Sequence, residues 1–159
     1  MRLSMWGRKA LAAVALMAAW TVTTAAEARH HRGEGGYVRN DGVHVKVNVA
    51  EQRMDVYVDG ELQHRWRVST GRSGFDTPGG VYRPQRLERE WYSKQYDGAP
   101  MPHAVFFNAG YAIHGTNDTR RLGRQASHGC VRLHPEHAEE LYELVEEHGA
   151  SRTRIEIAE

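Results

Sequence analysis

The sequence predicts a single domain of mainly β structure with one clear α-helix, and three observations support this fold class. Apolar residues recur at every second position between residues 43 and 68, which is the period of a half-buried strand. The helical period of three to four residues is clear at 135–147. A length of 159 residues is enough for one ordinary domain and not comfortably for two.

Three runs of alternating residues predict three antiparallel strands that share one buried face. Their inward members are Val43, Val45, Val47 and Val49, then Met54, Val56 and Val58, then Leu62, His64, Trp66 and Val68. Asp59-Gly60 separates the second run from the third and is a dipeptide typical of two-residue hairpin turns. We therefore expect the sheet to begin with this meander.

A long loop is predicted after the meander, at residues 86–102. The segment is polar and carries Trp91, Tyr92 and Tyr96. A loop of this length in a small domain is either a binding loop or disordered. Its aromatic side chains favour an ordered loop.

Shorter patterns predict the remaining elements. Apolar runs indicate strands near 81–82, 104–107, 111–113 and 153–157. The helix begins with Pro135 in its first turn, next to Glu136, and Gly149 ends it. Proline and an acidic residue at the start, with glycine at the end, are what helix termini prefer.

Residues 1–28 predict a secretory signal peptide. A basic start is followed by an apolar run at 10–20 and by Ala26-Glu27-Ala28, a small-residue cleavage site. An uncleaved anchor is the alternative, although the run is shorter than the roughly 20 residues of a spanning helix. Cleavage would leave no stable membrane span and would deliver the protein to the periplasm or cell-wall space. We expect a flexible lead-in at 29–42 and the folded domain at 43–158.

The charge balance argues against a nucleic-acid partner. The chain has a formal net charge of +1, and removal of residues 1–28 leaves bases and acids nearly equal. A protein that binds nucleic acid needs a basic surface. The basic cluster at 29–32 is interpreted as a solvated tail, with weak adhesion to an anionic wall or lipid surface as the alternative.

Cys130 is the single cysteine, and its neighbours indicate a reactive thiol. In an exported protein a lone cysteine forms an intermolecular bond, is buried and inert, or is reactive. A thiol attacks acyl groups as the thiolate and needs a base or a positive environment, and His114 and His128 are candidate bases. Gly129 permits a tight turn whose amides would form an oxyanion hole. Arg132 is placed to hold a carboxylate.

Three stretches surround the cysteine: Ile113-His114-Gly115-Thr116, Leu122-Gly123-Arg124 and Ser127-His128-Gly129-Cys130-Val131-Arg132. Ser69-Thr70-Gly71, Thr77-Pro78-Gly79-Gly80-Val81-Tyr82 and Met101-Pro102 precede them. Together these motifs resemble the signature of YkuD-type L,D-transpeptidase domains, over about residues 43–157. The resemblance implies the β-sandwich of that family. Gln125 stands where the family often has proline, which leaves the conformation of that loop open.

The resemblance implies a role for each residue of the site. Cys130 would be the nucleophile, His114 its base, and the carbonyl of Gly115 would orient the imidazole. Backbone amides near His128 and Gly129 would hold the oxyanion. Substrate would be contacted by Ser127, Arg132, Thr116, Trp91, Tyr92 and Met101. No cofactor or metal is implied.

The resemblance also implies a reaction on the stem peptides of peptidoglycan. Cys130 would attack the carbonyl of the third residue of a donor tetrapeptide, a diamino acid, and release D-alanine. The acyl group would then pass to an amine of a second stem, giving a cross-link, or to an amine of an envelope protein, tethering it to the wall. With water as acceptor the same site would be an L,D-carboxypeptidase.

Two other classes of function are alternatives. If Cys130 were a buried core thiol and His114 a core histidine, the domain would be a non-catalytic wall-binding protein. Zinc would need a set such as His128, Cys130 and His134, or His134 and His137. The H-E-x-x-H or paired-cysteine patterns of zinc sites are missing from the sequence.

Overall fold

The computed structural model describes residues 41–159. The signal peptide predicted at 1–28 and nearly all of the lead-in predicted at 29–42 lie outside these residues. Within them the chain forms nine β-strands, one α-helix and two short 3₁₀ helices. In this part of the chain no helix is both long and apolar enough to span a membrane.

The strands range from three to seven residues in length. In chain order they are β1 (Val43–Asn48), β2 (Arg53–Val58), β3 (Glu61–Arg67), β4 (Gly80–Tyr82), β5 (Arg86–Glu88), β6 (Ala104–Asn108), β7 (Tyr111–Gly115), β8 (Val131–Leu133) and β9 (Thr153–Ala158). The α-helix, α1, spans Pro135–His148, and the 3₁₀ helices span Thr119–Arg121 and Ala150–Arg152.

The first sheet contains five strands in the order β3-β2-β1-β9-β4. β1, β2 and β3 form the antiparallel meander that the alternation predicts. Asp59 and Gly60 have positive φ angles of 51° and 88°, as a two-residue hairpin turn requires. β9 lies between β1 and β4 and runs parallel to β1, so this late strand occupies the interior of the sheet.

The second sheet contains four strands in the order β5-β6-β7-β8. β6 and β7 are the predicted antiparallel pair, whereas β7 and β8 run parallel. In that parallel pair Ile113 is opposite Val131, and His114 is opposite Arg132. Cys130, one residue before β8, therefore lies level with Ala112, near the start of β7.

One hydrophobic core joins both sheets and the helix. Most buried side chains of the two sheets and of α1 form one cluster, in which Phe107, Met54, Leu133 and Leu141 are fully buried. A smaller cluster of Met101, Ala104, Phe106 and Ala112 packs against Trp91 and Cys130. α1 packs against β7, β6 and β1 and ends at Gly149, whose φ is 82°. The prediction of a mainly β domain with one clear α-helix is confirmed.

Two residues depart from the predicted alternation. Leu62 was expected on the buried face, yet its side chain is 45% exposed. β3 is an edge strand, and its register with β2 shifts between Val56 and Tyr57, which turns this end of the strand away from the core. Asp55 is buried although it is charged, because Arg65 donates two hydrogen bonds of 2.9 Å to its carboxylate.

β5 and β8 were not predicted as strands. Each is three residues long, so no period can show in its sequence. The loop between β5 and β6 spans residues 89–103, and we call it the flap. It is ordered by a β-bridge between Tyr92 and Pro100 and by a 2.8 Å hydrogen bond from the Met101 amide to the Trp91 carbonyl.

Candidate active site

An open cavity of about 590 Å³ lies between the flap and the ends of β7 and β8. His114 and Thr116 line it from the end of β7, and Cys130 and Arg132 line it from β8. Tyr96 is one of the flap residues that line the opposite wall. The parallel pairing of β7 with β8 thus brings together residues from two separate motifs of the sequence.

Cys130 is a free, partly buried thiol in this cavity. Its Sγ lies 4.0 Å from the carbonyl oxygen of Gly110. Burial raises the pKa of the thiol, and a backbone hydrogen bond from Ala112 and the positive charge of Arg132 act in the opposite direction. The resting thiol is therefore protonated at neutral pH, and a neighbouring base is needed to activate it.

The turn before Cys130 is closed by a serine side chain. The Ser127 hydroxyl donates a 2.6 Å hydrogen bond to the Cys130 carbonyl and accepts a 3.0 Å hydrogen bond from the Gly129 amide. Gly129 has a φ of 109°, and a Cβ at this position would lie 2.4 Å from Cε1 of Tyr111. Both the conformation and the space therefore require glycine here.

His114 is a buried histidine with one ring nitrogen engaged. Its side chain is 6% exposed, and its Nδ1 lies 2.7 Å from the carbonyl oxygen of Gly115. Because a carbonyl oxygen can only accept, Nδ1 carries the proton and Nε2 of the neutral ring is left as a proton acceptor. Burial lowers the pKa of His114 to about 4; Gly115 opposes this shift and Arg132 adds to it.

The carbonyl of Gly115 is held in place by tight packing around the glycine. Its amide donates a 2.9 Å hydrogen bond to the Pro102 carbonyl. A Cβ on Gly115 would lie 3.1 Å from Cγ of Pro102 and 3.3 Å from Cβ of Ala138, so a larger residue would displace the flap or the helix. The acceptor for His114 is therefore fixed from two sides.

Arg132 places a positive charge next to both reactive groups. Its backbone is fixed by a pair of hydrogen bonds with Ser69, of 2.8 Å and 3.0 Å. Its guanidinium is half-buried and forms no salt bridge with a carboxylate of residues 41–159. Its charge favours the thiolate form of Cys130 and disfavours the charged form of His114.

His128 connects the cysteine turn to the flap. Its ring stacks on Tyr96 with a centroid distance of 4.3 Å and an interplanar angle of 16°. The His128 ring also packs edge-to-face against Phe75, with a centroid distance of 4.9 Å. Burial lowers the pKa of His128, and the nearby charges of Arg72, Arg132 and Arg121 lower it further.

The other residues predicted to contact substrate occupy different places. Thr116 is buried at the cavity wall, and its hydroxyl accepts a 3.2 Å hydrogen bond from the Asp118 amide. Met101 is a buried residue of the flap and lines the cavity. Trp91 packs on Phe106 and Tyr92 is 62% exposed, and neither lines the cavity. A substrate role for each of these residues stays a prediction.

Three charged residues of the cavity were not singled out from the sequence. Asp97 at the flap, Asp118 and Arg121 all line it, and Asp118 and Arg121 form an ion pair. In the sequence, the adjacent arginines at 120 and 121 could have indicated this part of the cavity. Two neighbouring like charges, however, usually mark a solvated surface.

The residues of the alternative zinc set do not form a metal site in the described structure. No three histidine, cysteine or acidic side chains of residues 41–159 come together in a way that could hold an ion. Cys130 and His128 line the cavity under the flap, whereas His134 and His137 line a different one.

Known proteins with similar sequences are L,D-transpeptidases. The family model of the L,D-transpeptidase catalytic domain, YkuD, matches residues 42–157. "Probable L,D-transpeptidase YbiS" of Escherichia coli (strain K12) is 30% identical over 133 residues, which cover 66% of this chain and 43% of that protein. "Probable L,D-transpeptidase ErfK/SrfK" of Salmonella typhimurium is 28% identical over 139 residues, covering 71% and 43%. The chain spans less than half the length of these two relatives.

Solved structures of L,D-transpeptidases share the fold. The enzyme of Stackebrandtia nassauensis superposes with a TM-score of 0.66 at 28% identity, covering 75% of this chain and 56% of that one. The enzyme of Mycobacterium smegmatis gives a TM-score of 0.65 at 22% identity, covering 74% and 58%, and at that identity the likeness shows the fold alone. Since the family model matches well over half of the chain, this protein belongs to the L,D-transpeptidase catalytic-domain (YkuD) family.

Proposed function

We propose that the domain is a cysteine-dependent L,D-transpeptidase with Cys130 as its nucleophile and His114 as its general base. One observation carries this proposal. The single thiol shares a cavity with a buried neutral histidine whose Nδ1–H is held by a fixed carbonyl, so that Nε2 is the basic atom. A nucleophile, a base and a group that orients the base are the parts that acyl transfer needs.

The first half-reaction begins with a neutral Cys130 thiol and a neutral His114 imidazole. As Sγ bonds to the donor carbonyl carbon, its proton passes to Nε2 of His114, and the resulting imidazolium is stabilised by Gly115. Because the Gly129 amide is already bound to Ser127, we assign the oxyanion to the neighbouring amides of His128 and Cys130. Collapse of the intermediate breaks the peptide bond, and the imidazolium gives its proton to the departing amine of D-alanine.

The second half-reaction restores the thiol. An amine of the acceptor attacks the thioester carbon, His114 takes its extra proton, and the thiolate leaves and is protonated again. A stem-peptide amine yields a cross-link, and an amine of an envelope protein yields a tether. If water replaced the amine, the product would be a shortened stem, and the enzyme would act as an L,D-carboxypeptidase.

Arg132 is the proposed carboxylate clamp for the donor stem. Its half-buried guanidinium has no carboxylate partner among the described residues, and Arg132 lies two residues after Cys130. A bidentate pair with the terminal carboxylate of D-alanine would fix the scissile bond near Sγ. It would also neutralise the charge that disfavours the His114 imidazolium, so donor binding would make the base stronger.

The test is to incubate the protein with tetrapeptide muropeptides and follow both products and intact protein by mass spectrometry. We expect an acyl adduct on Cys130 with loss of D-alanine, followed by cross-linked dimer. Tripeptide without dimer would assign hydrolysis or a missing protein acceptor. Cys130→Ala is expected to form neither adduct nor product. Appreciable turnover by that variant would contradict the assignment of the nucleophile.

We further propose that the reaction takes place in the periplasm or cell-wall space. The signal-peptide pattern of residues 1–28 and the location of peptidoglycan support this. N-terminal sequencing of the protein from fractionated cells should find Arg29 as the first residue. Recovery of the intact N-terminus in the cytoplasm would contradict export.

A further inference from the structure

A second cavity, of about 470 Å³, lies apart from the catalytic one and is lined mainly by basic residues. We call it the arginine cavity and define it by its lining residues, which are Arg67, Thr119, Arg120, Leu122, Arg124, His134 and His137. No aspartate or glutamate lines it. Arg121, in the same segment of chain, lines the catalytic cavity instead.

The three arginines of this cavity lack acidic partners in the described part of the chain. Arg67, Arg120 and Arg124 form no salt bridge with a carboxylate of residues 41–159. Six other arginines of the domain do, namely Arg53, Arg65, Arg86, Arg89, Arg121 and Arg154. Three uncompensated positive charges around one concavity raise the local potential and attract an anion.

The backbone holds the arginines in a defined arrangement. Gly123 has a φ of 89°, and a Cβ there would lie 2.3 Å from Nη2 of Arg67, so the guanidinium lies directly over the glycine. The Gly123 amide donates a 2.7 Å hydrogen bond to the Val68 carbonyl. The Ser69 hydroxyl donates a 2.8 Å hydrogen bond to the Arg124 carbonyl. The segment that carries Arg120 and Arg124 is thus tied to the end of β3, which carries Arg67.

Two histidines of the cavity have an unsatisfied ring nitrogen. Nδ1 of His134 and Nδ1 of His137 are buried and have no hydrogen-bond partner among the described residues. The nearest carboxylate oxygen to His134 Nδ1, from Glu136, is 3.8 Å away, too far for a hydrogen bond. His137 is held by stacking on Trp66, with centroids 4.9 Å apart and an interplanar angle of 8°. Because both nitrogens are buried, the arginine side chains, rather than these atoms, would contact an anion in the cavity.

We propose that the arginine cavity is a binding site for a phosphate group. Planar guanidinium groups match phosphate oxygens bidentately. A carboxylate, with one charge and two oxygens, would engage one arginine fully, whereas a phosphate has the oxygens to engage several donors at once. The site is independent of acyl transfer at Cys130, because the two cavities share no lining residue.

The test is isothermal titration of the full-length protein with inorganic phosphate at pH 7 and constant ionic strength, with acetate as the comparison anion. We expect saturable phosphate binding that is at least tenfold weaker in the double variant Arg120→Gln, Arg124→Gln. Arg89→Gln is the matched control, because Arg89 is exposed, pairs with Glu146 and lies outside the cavity. Phosphate binding by this control should equal that of the unmodified protein.

A second variant tests the geometry of the site without changing its charge. Arg67→Lys keeps the positive charge but removes the guanidinium fork, and it should weaken phosphate binding several-fold. Absence of saturable binding, equal affinity for acetate, or equal binding by the double variant would overturn the proposal.

Two further probes identify the source of the phosphate. Glycerol 3-phosphate represents a soluble or polymer-borne group, and vesicles of phosphatidylglycerol represent a lipid headgroup. A probe that the unmodified protein binds and the double variant does not bind supports the site and identifies the source of the phosphate.

Discussion

At the scale of single residues, the electrostatics of the site favour a neutral Cys130–His114 pair over a resting ion pair. Burial raises the pKa of the thiol and lowers that of the imidazole to about 4, so both neutral forms are favoured at neutral pH. The charge of Arg132 also lowers the pKa of the imidazole, which favours the neutral ring. It lowers the pKa of the thiol as well, and there it opposes the effect of burial. The proton transfer is therefore coupled to the attack on the donor rather than completed before it.

This coupling predicts slow alkylation of the free protein at neutral pH. The rate of reaction of Cys130 with iodoacetamide should rise with pH through a midpoint above the ordinary range of a thiol. Arg132→Gln should move the midpoint higher, because it removes a charge that favours the thiolate. Arg89→Gln, away from the cavity, should leave it unchanged. A midpoint below pH 7 would indicate a preformed thiolate–imidazolium pair and contradict the mechanism.

The cysteine turn makes a second prediction at this scale. Gly129→Ala should reduce acyl transfer by at least about 100-fold and destabilise the domain more than Gly60→Ala does. Both glycines have positive φ, which costs an L-residue roughly 1–2 kcal/mol, but Gly60 has open space around it and Gly129 faces Tyr111. Activity assays and urea unfolding of both variants measure the difference. Equal effects of the two changes would show that Tyr111 moves freely aside.

The identities of Cys130 and His114 could be proposed from the sequence, whereas their protonation states could not. The motifs around them supply the residue types and their order. The pKa of His114 depends on burial against the flap and helix, which no local pattern encodes. The hydroxyl of Ser127, proposed as a substrate contact, bonds to two backbone groups of the turn, a role that becomes visible only in three dimensions.

At the scale of elements, the site depends on one parallel strand pair and one loop. β7 and β8 bring His114 and Cys130, the proposed base and nucleophile, into one cavity, and the flap lines its opposite wall. The stack of Tyr96 on His128 joins the flap to the cysteine turn. Substrate that enters between them must share the cavity with Tyr96.

Tyr96→Ala should therefore impair the enzyme through substrate binding. Loss of the stack would loosen the flap, and we expect KM for the donor to rise about tenfold with a smaller change in kcat, since an aromatic pair contributes about 0.5–1.5 kcal/mol beyond its buried area. Glu90→Ala is the matched control, because Glu90 is an exposed residue of the same loop and lies outside the cavity. If both variants had the same KM as the unmodified enzyme, the flap would have no part in donor binding.

Long alternating or helical runs could be assigned from the sequence, and short strands could not. The meander β1–β3 and α1 extend over enough residues for a period to be read. β5 and β8 are formed because neighbouring strands supply hydrogen-bond partners to three residues each. Leu62 is exposed for the same reason, since the register of β3 is set by its pairing with β2.

At the scale of the whole molecule, the buried neutral His114 links stability to pH. In the unfolded chain its imidazole binds a proton below about pH 6.5, whereas in the folded domain it does so only below about pH 4. Between these values the unfolded state binds more protons, so the free energy of unfolding falls as the pH falls. The stabilisation is fully present above pH 6.5 and lost by pH 4.

Urea unfolding at pH 7.0, 5.5 and 4.5 tests this linkage. The contribution of His114 to the loss over that range is on the order of 3 kcal/mol, from the size of its pKa shift. His114→Gln should flatten the dependence by that amount. The pKa values of His44, His128 and His137 are also lowered, so the difference between variant and unmodified protein isolates His114. An unchanged slope would show that folding does not lower the pKa of His114.

The parallel pairing of β1 with β9 has a consequence for biosynthesis. β1 is the first described strand to leave the ribosome, and β9 is the last. Even so, β9 lies between β1 and β4 and pairs with both of them. Pairings between such distant segments form late and slowly. The described domain would then stay unfolded until its last strand has been made, and an unfolded polypeptide can be threaded through a translocation channel.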